Sequence, residues 1–253
     1  MVDTHCHIFS DYYDNIDAVI ERAIKAGVRL LIVNGCNMKT NREVLDLVKK
    51  YDIVYGAIGL QPEELDDYTE ENLSFIRNHI NDDKIIAVGE IGLDYHYECD
   101  KEKQKELFKR QIGIAKEFNK PIIVHSRDCI QETYNILKES HIKGIMHCYS
   151  GSVEMALEFN KIGFLLGIGG ICTFKNASKI IDVIKNVDLE YIVLETDCPY
   201  LAPVPYRGTM NEPANLPVIL QKICEVKSLD YKEVEKATTL NVLRLFDKNI
   251  KLC

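Results

Sequence analysis

The chain has 253 residues, 46% of them hydrophobic and 28% charged, and a formal net charge of −8. That composition excludes a disordered or fibrous chain and is enough for one large core. The acidic balance excludes coating of long duplex by phosphate neutralisation, so any nucleic-acid contact has to be local.

The opening segment has no basic region followed by an apolar run, so no secretory signal is expected. Apolar runs such as "RLLIVNG" and "FLLGIGGI" are too short, or too broken by glycine, to span a membrane. Nine cysteines are scattered singly from Cys6 to Cys253 with no C-x-x-C pair. Reduced thiols and a cytoplasmic location are the expectation, rather than a disulfide framework.

Short apolar runs at 1–8, 29–35, 53–60, 85–93, 121–126, 143–149, 164–171 and 191–197 are predicted strands. Between them, stretches such as "IDAVIERAIKAG", "QKELFKRQIGIAKEF" and "ASKIIDVIKNV" place apolar residues three and four apart, the spacing of amphipathic helices. Gly27 and Gly163 each follow the last periodic residue of a helix, where a C-terminal stop belongs. Regular strand–helix alternation implies parallel strands with helical crossovers, and eight units in this length predict an α/β fold of the (β/α)₈ TIM-barrel type. A doubly wound sheet would carry a Gly-rich loop after the first strand, where this chain reads "HIFSDYY". Two helical patterns follow the eighth strand, "NLPVILQKICEVKS" and "YKEVEKATTLNVLRLF", the second an extra C-terminal helix. With no linker visible, residues 1–253 read as one domain.

In a barrel, chemistry belongs at the C-terminal strand ends. His5 and His7 lie there, on one strand face, with Cys6 on the other. Glu90, His125, His147 and Asp197 lie at the predicted ends of strands 4, 5, 6 and 8. Singly, each histidine reads as a hydrogen-bonded structural group and each carboxylate as a helix cap. Together, four imidazoles and two carboxylates at one mouth, with no Lys or Arg among them, call for a cation. Such donors suit Zn²⁺, Mn²⁺, Fe²⁺ or Co²⁺, and Mg²⁺ less naturally. Six ligands exceed what one hydrolytic zinc uses, so two divalent metal ions are expected, with Glu90 bridging them. Asp197 is placed to orient a water or take its proton. Cys6 and Cys148 each adjoin a histidine and are expected to face the helices as filler. Two roles fit Arg127: a bidentate grip on a phosphate, or a salt bridge to Asp94 or Asp128. The segment "CPYLAPVPYRGTMNEP" holds four of the seven prolines. Its Tyr200, Tyr206 and Arg207 either contact substrate or pack the loop onto the barrel.

With those residues placed, "DTHCH", "VGEIGLDY", "PIIVHSRD", "MHCYSG", "ETDCPYLAP" and "YRGTMNEP" resemble the TatD family of metal-dependent deoxyribonucleases, within the amidohydrolase-like barrels. The resemblance runs from residue 3 to residue 213 and implies that His5, His7, Glu90, His125, His147 and Asp197 hold the metals. Two departures stand out. Family members commonly carry a histidine near substrate where this chain has Gln61 in "GLQP", and two basic residues where it has Thr209 and Met210. The implied reaction is hydrolysis of phosphodiesters from a DNA end, single-stranded or frayed, with no membrane or protein partner inferable. An amidohydrolase-type deacylase, for example one acting on D-aminoacyl-tRNA, is the rival reading. Glu90 stands where many such relatives carry a carbamylated lysine, which favours the nuclease. A metal-binding scaffold without activity is a third reading, but no ligand position is lost.

Overall fold

Parallel strands flanked by helices are buried on both faces, which is why their sequences are continuous apolar runs rather than alternating ones. The computed structural model describes residues 1–246 and 250–252. Strands β1 (Val2–Cys6), β2 (Leu30–Asn34), β3 (Val54–Ile58), β4 (Ile85–Asp94), β5 (Ile122–Arg127), β6 (Gly144–Met146), β7 (Phe164–Ile168) and β8 (Ile192–Leu194) form one parallel sheet in sequence order. Helices α1 (Ile16–Lys25), α2 (Met38–Lys50), α3 (Glu70–His79), α4 (Lys101–Glu117), α5 (Ile130–Ser140), α6 (Val153–Lys161), α7 (Ser178–Asn186) and α8 (Leu216–Lys227) connect and cover them, and α9 (Tyr231–Leu245) is the additional helix. The fold is a (β/α)₈ barrel. Among the described residues no helix is long and apolar enough to cross a membrane.

No ladder pairs β8 with β1 among the described residues, and the last seam is closed largely by side chains. Thr196 donates to Asp3 from its backbone N–H (2.9 Å) and its hydroxyl (2.6 Å). Thr4 donates to the Leu194 carbonyl (3.0 Å), and the Asp197 and His7 amides donate to the carbonyls of His5 and Cys198. The barrel interior holds Leu30, Ile32, Ile123, Ile145 and Val193, and Val242 and Phe246 of the α9 region pack against them. The outer layer, including Leu31, Val33, Val124, Leu166 and Ile168, meets the helices.

Strands β1, β6, β7 and β8 stop short of the predicted runs, because the chain turns out of the ladder at the mouth. Cys148 and Asp197 have φ of 45° and 53°, conformations no strand continues through. Register breaks on the other side of the mouth have the same purpose. Val88 and Ile91 both face the helices although three residues apart, and the β4–β5 register shifts between them. This bulge breaks the alternation that would have put Glu90 on the face of Val88. Gly89 lies inside the break, where a Cβ would sit 2.9 Å from Ile123 Cβ, and Gly92 lets β4 resume its ladder with β5: its φ is +152°, and a Cβ there would sit 1.9 Å from the His125 carbonyl oxygen. A similar break between Asp3 and Cys6 leaves Val2 inside the barrel and Cys6 outside it.

Candidate metal centre

The structure brings together the side chains of all six predicted strand-end residues. Donor atoms of His5, His7 and Glu90, of His5, His147 and Asp197, and of Glu90, His125 and His147 form three groups, each within 4.8 Å. Glu90 is shared in a specific way. Its Oε2 faces His5 Nε2 (3.5 Å) and His7 Nε2 (3.7 Å), while Oε1 faces His125 Nδ1 (3.0 Å) and His147 Nε2 (3.2 Å). Asp197 Oδ1 lies 3.5 Å from His7 Nε2 and 3.8 Å from His5 Nε2.

Outer partners fix how the rings present themselves. His7 Nδ1 is 2.9 Å from the Asn34 carbonyl, which can only accept, so a proton sits on Nδ1 and Nε2 points into the cluster. His125 Nε2 is 2.8 Å from Asp94 Oδ2, leaving Nδ1 toward Glu90. Glu195 is fully buried beneath His147, with its Oε1 3.7 Å from Nδ1. Burial resists ionisation of Glu90, yet His147, His125 and His5 hold its carboxyl well below the usual range. Burial also pushes the His125 imidazole down, but Asp94 and Glu90 outweigh it and carry the ring to about 9. His5 goes the other way, to about 4, because burial and then the neighbouring His147 disfavour its charge. Protons on some imidazoles thus supply the positive charge the buried carboxylates require, a demand divalent cations would meet directly. The nitrogen and oxygen donor set fits such ions.

A cavity of about 370 Å³ opens over the cluster. Gln61 and Arg127 line it, as do Tyr12 and Tyr200, whose hydroxyls are 2.8 Å apart. Neither expected salt bridge of Arg127 forms: Asp94 pairs with His125, Asp128 pairs with His96, and the guanidinium lies 5.6 Å from the Tyr97 ring centroid. Tyr206 and Arg207 are exposed and lie outside this cavity, Arg207 over the Phe174 ring at 4.0 Å. Cys6 faces the outer layer as expected. Cys148 does not. The strand ends before it, and the groups that raise its thiol pKa after burial itself are Asp197, Glu195 and Glu90. Cys36 was not anticipated: its Sγ is 3.5 Å from Glu90 Oε2 and 3.6 Å from His7 Nδ1. It follows β2, whose end carries no charged residue to signal a site. A larger cavity, about 950 Å³, lies at the opposite end of the barrel, where Lys84, Lys120 and Lys143 precede β4, β5 and β6. None of the six clustered residues lines it.

The family model for TatD related DNase matches residues 2–247. An uncharacterized metal-dependent hydrolase, YabD of Bacillus subtilis, is 41% identical over 98% of this chain and all of its own length. MJ1582 of Methanocaldococcus jannaschii, described in the same words, is 36% identical over 98% of both chains. The crystal structure of YjjV, a TatD homolog from Escherichia coli, superposes with a TM-score of 0.94 at 32% identity, covering 99% of this chain and 98% of that one. Motifs, barrel and near-complete coverage converge: the chain belongs to the TatD related DNase family.

Proposed function

We propose that the protein is a divalent-metal-dependent hydrolase that cleaves phosphodiester bonds and removes nucleotides from a DNA end. Two ions would be held by His5, His7, Glu90, His125, His147 and Asp197. The observation that carries this reading is the division of Glu90: one oxygen faces His5 and His7, the other His125 and His147. A carboxylate shared in that way would suit a site that holds two cations. When bound, such ions lower the pKa of water and offset charge developing on phosphoryl oxygens.

The chain's own groups do the rest. Asp197 orients the attacking water and accepts its proton. Arg127, which has no ion pair among the described residues, is free to donate two N–H groups to a phosphate oxygen pair. Gln61 offers an amide donor at the same cavity. Tyr200 presents an aromatic edge beside His7, 6.3 Å between ring centroids, against which a terminal base can rest. The net charge of −8 favours capture of a strand end over tracking along duplex. All eight described cysteines are free, which fits a cytoplasmic enzyme.

Asp94 acts through His125. Asp94→Asn keeps the shape but puts an amide where the carboxylate faced Nε2. The expected result is metal affinity weakened about 10–100-fold, with kcat restored at saturating metal, measured by chelator competition. The reaction itself is tested with end-labelled single-stranded DNA, duplex DNA and RNA under Mg²⁺, Mn²⁺ or Zn²⁺. A ladder of released mononucleotides from DNA is the expected result. Cleavage confined to acyl or aminoacyl-tRNA esters would replace the nuclease reading with the deacylase one.

A further inference from the structure

We infer that the nucleotide adjoining the scissile phosphate docks in a second cavity beside the mouth, built by Phe174, Lys175, Lys179 and Arg207. This rests on the phosphodiesterase reading above and names where the strand goes. The cavity has a volume of about 350 Å³, the size of a small-ligand pocket and too small for duplex. It is made from the loops that follow β6, β7 and β8 and from the start of α7, and the first and last of these loops also carry His147 and Asp197. Ser150 lines it and is three residues beyond His147, so the two Cα atoms are at most about 11 Å apart.

Its charge is the second argument. In a chain of net charge −8, no carboxylate lines this cavity, while Lys175, Lys179 and Arg207 all do. On the surrounding helices α6, α7 and α8, Lys161 pairs with Glu158, Lys185 with Asp182 and Lys222 with Glu225. Lys175, Lys179 and Arg207 have no such partner among the described residues. Three unneutralised cations around one hollow suit the phosphate of a nucleotide, and Ile171, Phe174 and Ile180 give its base and sugar an apolar wall.

The third argument is rigidity. The Val204 amide donates to Thr173 Oγ1 (2.9 Å), tying the β8 loop to the β7 loop. Gly170 lies so close to the Leu201 carbonyl that a Cβ would approach within 2.1 Å. With the two loops packed together, and its guanidinium 4.0 Å over Phe174, Arg207 is held at the cavity before substrate arrives.

Two substrates separate the cavity from the reaction centre: bis(p-nitrophenyl) phosphate, which has no adjoining nucleotide, and a short single-stranded oligothymidylate. In the Lys175→Gln/Lys179→Gln variant, KM for the oligonucleotide is expected to rise about tenfold. The constants for the small diester stay near wild type. The slope of log kcat/KM against log salt becomes shallower by about 0.7 for each cation removed. Lys236→Gln, on exposed α9 surface, controls for loss of charge elsewhere. Anisotropy of a labelled oligonucleotide reads binding without cleavage. Equal affinity and equal salt slope in wild type and the double variant would overturn the docking site. A wild-type enzyme that binds the oligonucleotide through these lysines but cleaves neither substrate would overturn the phosphodiesterase reading instead.

Discussion

Glu90→Ala is expected to reduce hydrolysis at least about 10³-fold and to leave at most one bound metal ion per chain. The size of the effect follows from geometry. Every imidazole of the cluster has Glu90 as a neighbour within 3.7 Å, and among the described residues no other side chain touches both histidine pairs through separate oxygens. Removing the carboxylate therefore takes an oxygen from both halves of the site at once. Metal-assisted stabilisation of transition-state charge is worth several kcal/mol, and about 4 kcal/mol corresponds to the stated loss. Glu90→Gln separates shape from charge. It preserves the volume of a side chain only 3% exposed but replaces one anionic oxygen with N–H groups. Both variants should be inactive, and metal content by mass spectrometry should fall in both. Thermal stability gives an independent readout. Metal at a hundred times its Kd stabilises a folded protein by about 2.7 kcal/mol, so added ion should raise the wild-type Tm and leave that of Glu90→Ala nearly unmoved. A variant that keeps two ions and full activity would end the metal-bridge assignment.

Glu90 also shows how much of the molecule was legible before folding. Strand–helix alternation and the stops at Gly27 and Gly163 were enough to read the barrel, because each is a local signal repeated along the chain. His5 and His7 were legible for the same reason: spacing of two within a strand puts both on one face. Glu90 could be located at the mouth but not oriented, since simple alternation from Val88 points it toward the helices. Only the bulge between Val88 and Ile91 turns it inward, and a bulge is a long-range negotiation between β4 and β5. Cys148 was misplaced by extending β6 alternation past Met146, where the ladder has already ended. Cys36 carries no pattern of its own, and Asp94 and Glu195, although they lie inside "VGEIGLDY" and "ETDCPYLAP", have no spacing that ties them to His125 and His147. Their relation to the cluster arises from neighbouring strands, which a single sequence does not specify.

Asp3→Ala is expected to destabilise the protein by about 2–4 kcal/mol, a fall in Tm of about 5–15 °C, and to lower activity although Asp3 touches none of the clustered donor atoms. Asp3 is fully buried. Its carboxylate receives the backbone N–H and hydroxyl of Thr196 and, at 3.3 Å, the His5 amide. Alanine leaves the two Thr196 donors buried without acceptors, each at a cost of about 1–3 kcal/mol, partly offset by removing a carboxylate whose own burial is unfavourable. These bonds lie at the β8–β1 seam, so the loss is not confined to stability. Thr196 precedes Asp197, whose amide is bonded to the carbonyl of His5, and slack in the seam loosens both residues together. Asp3→Asn retains one acceptor, and the Thr196 hydroxyl can rotate to accept from the new amide, so it should cost only about 1 kcal/mol and keep most activity. Chemical denaturation of the three proteins in chelator, where metal binding contributes nothing, isolates the seam. If Asp3→Ala unfolds at the wild-type midpoint, the barrel is closed by its packing alone and the buried carboxylate has no part in holding His5 and Asp197 in place.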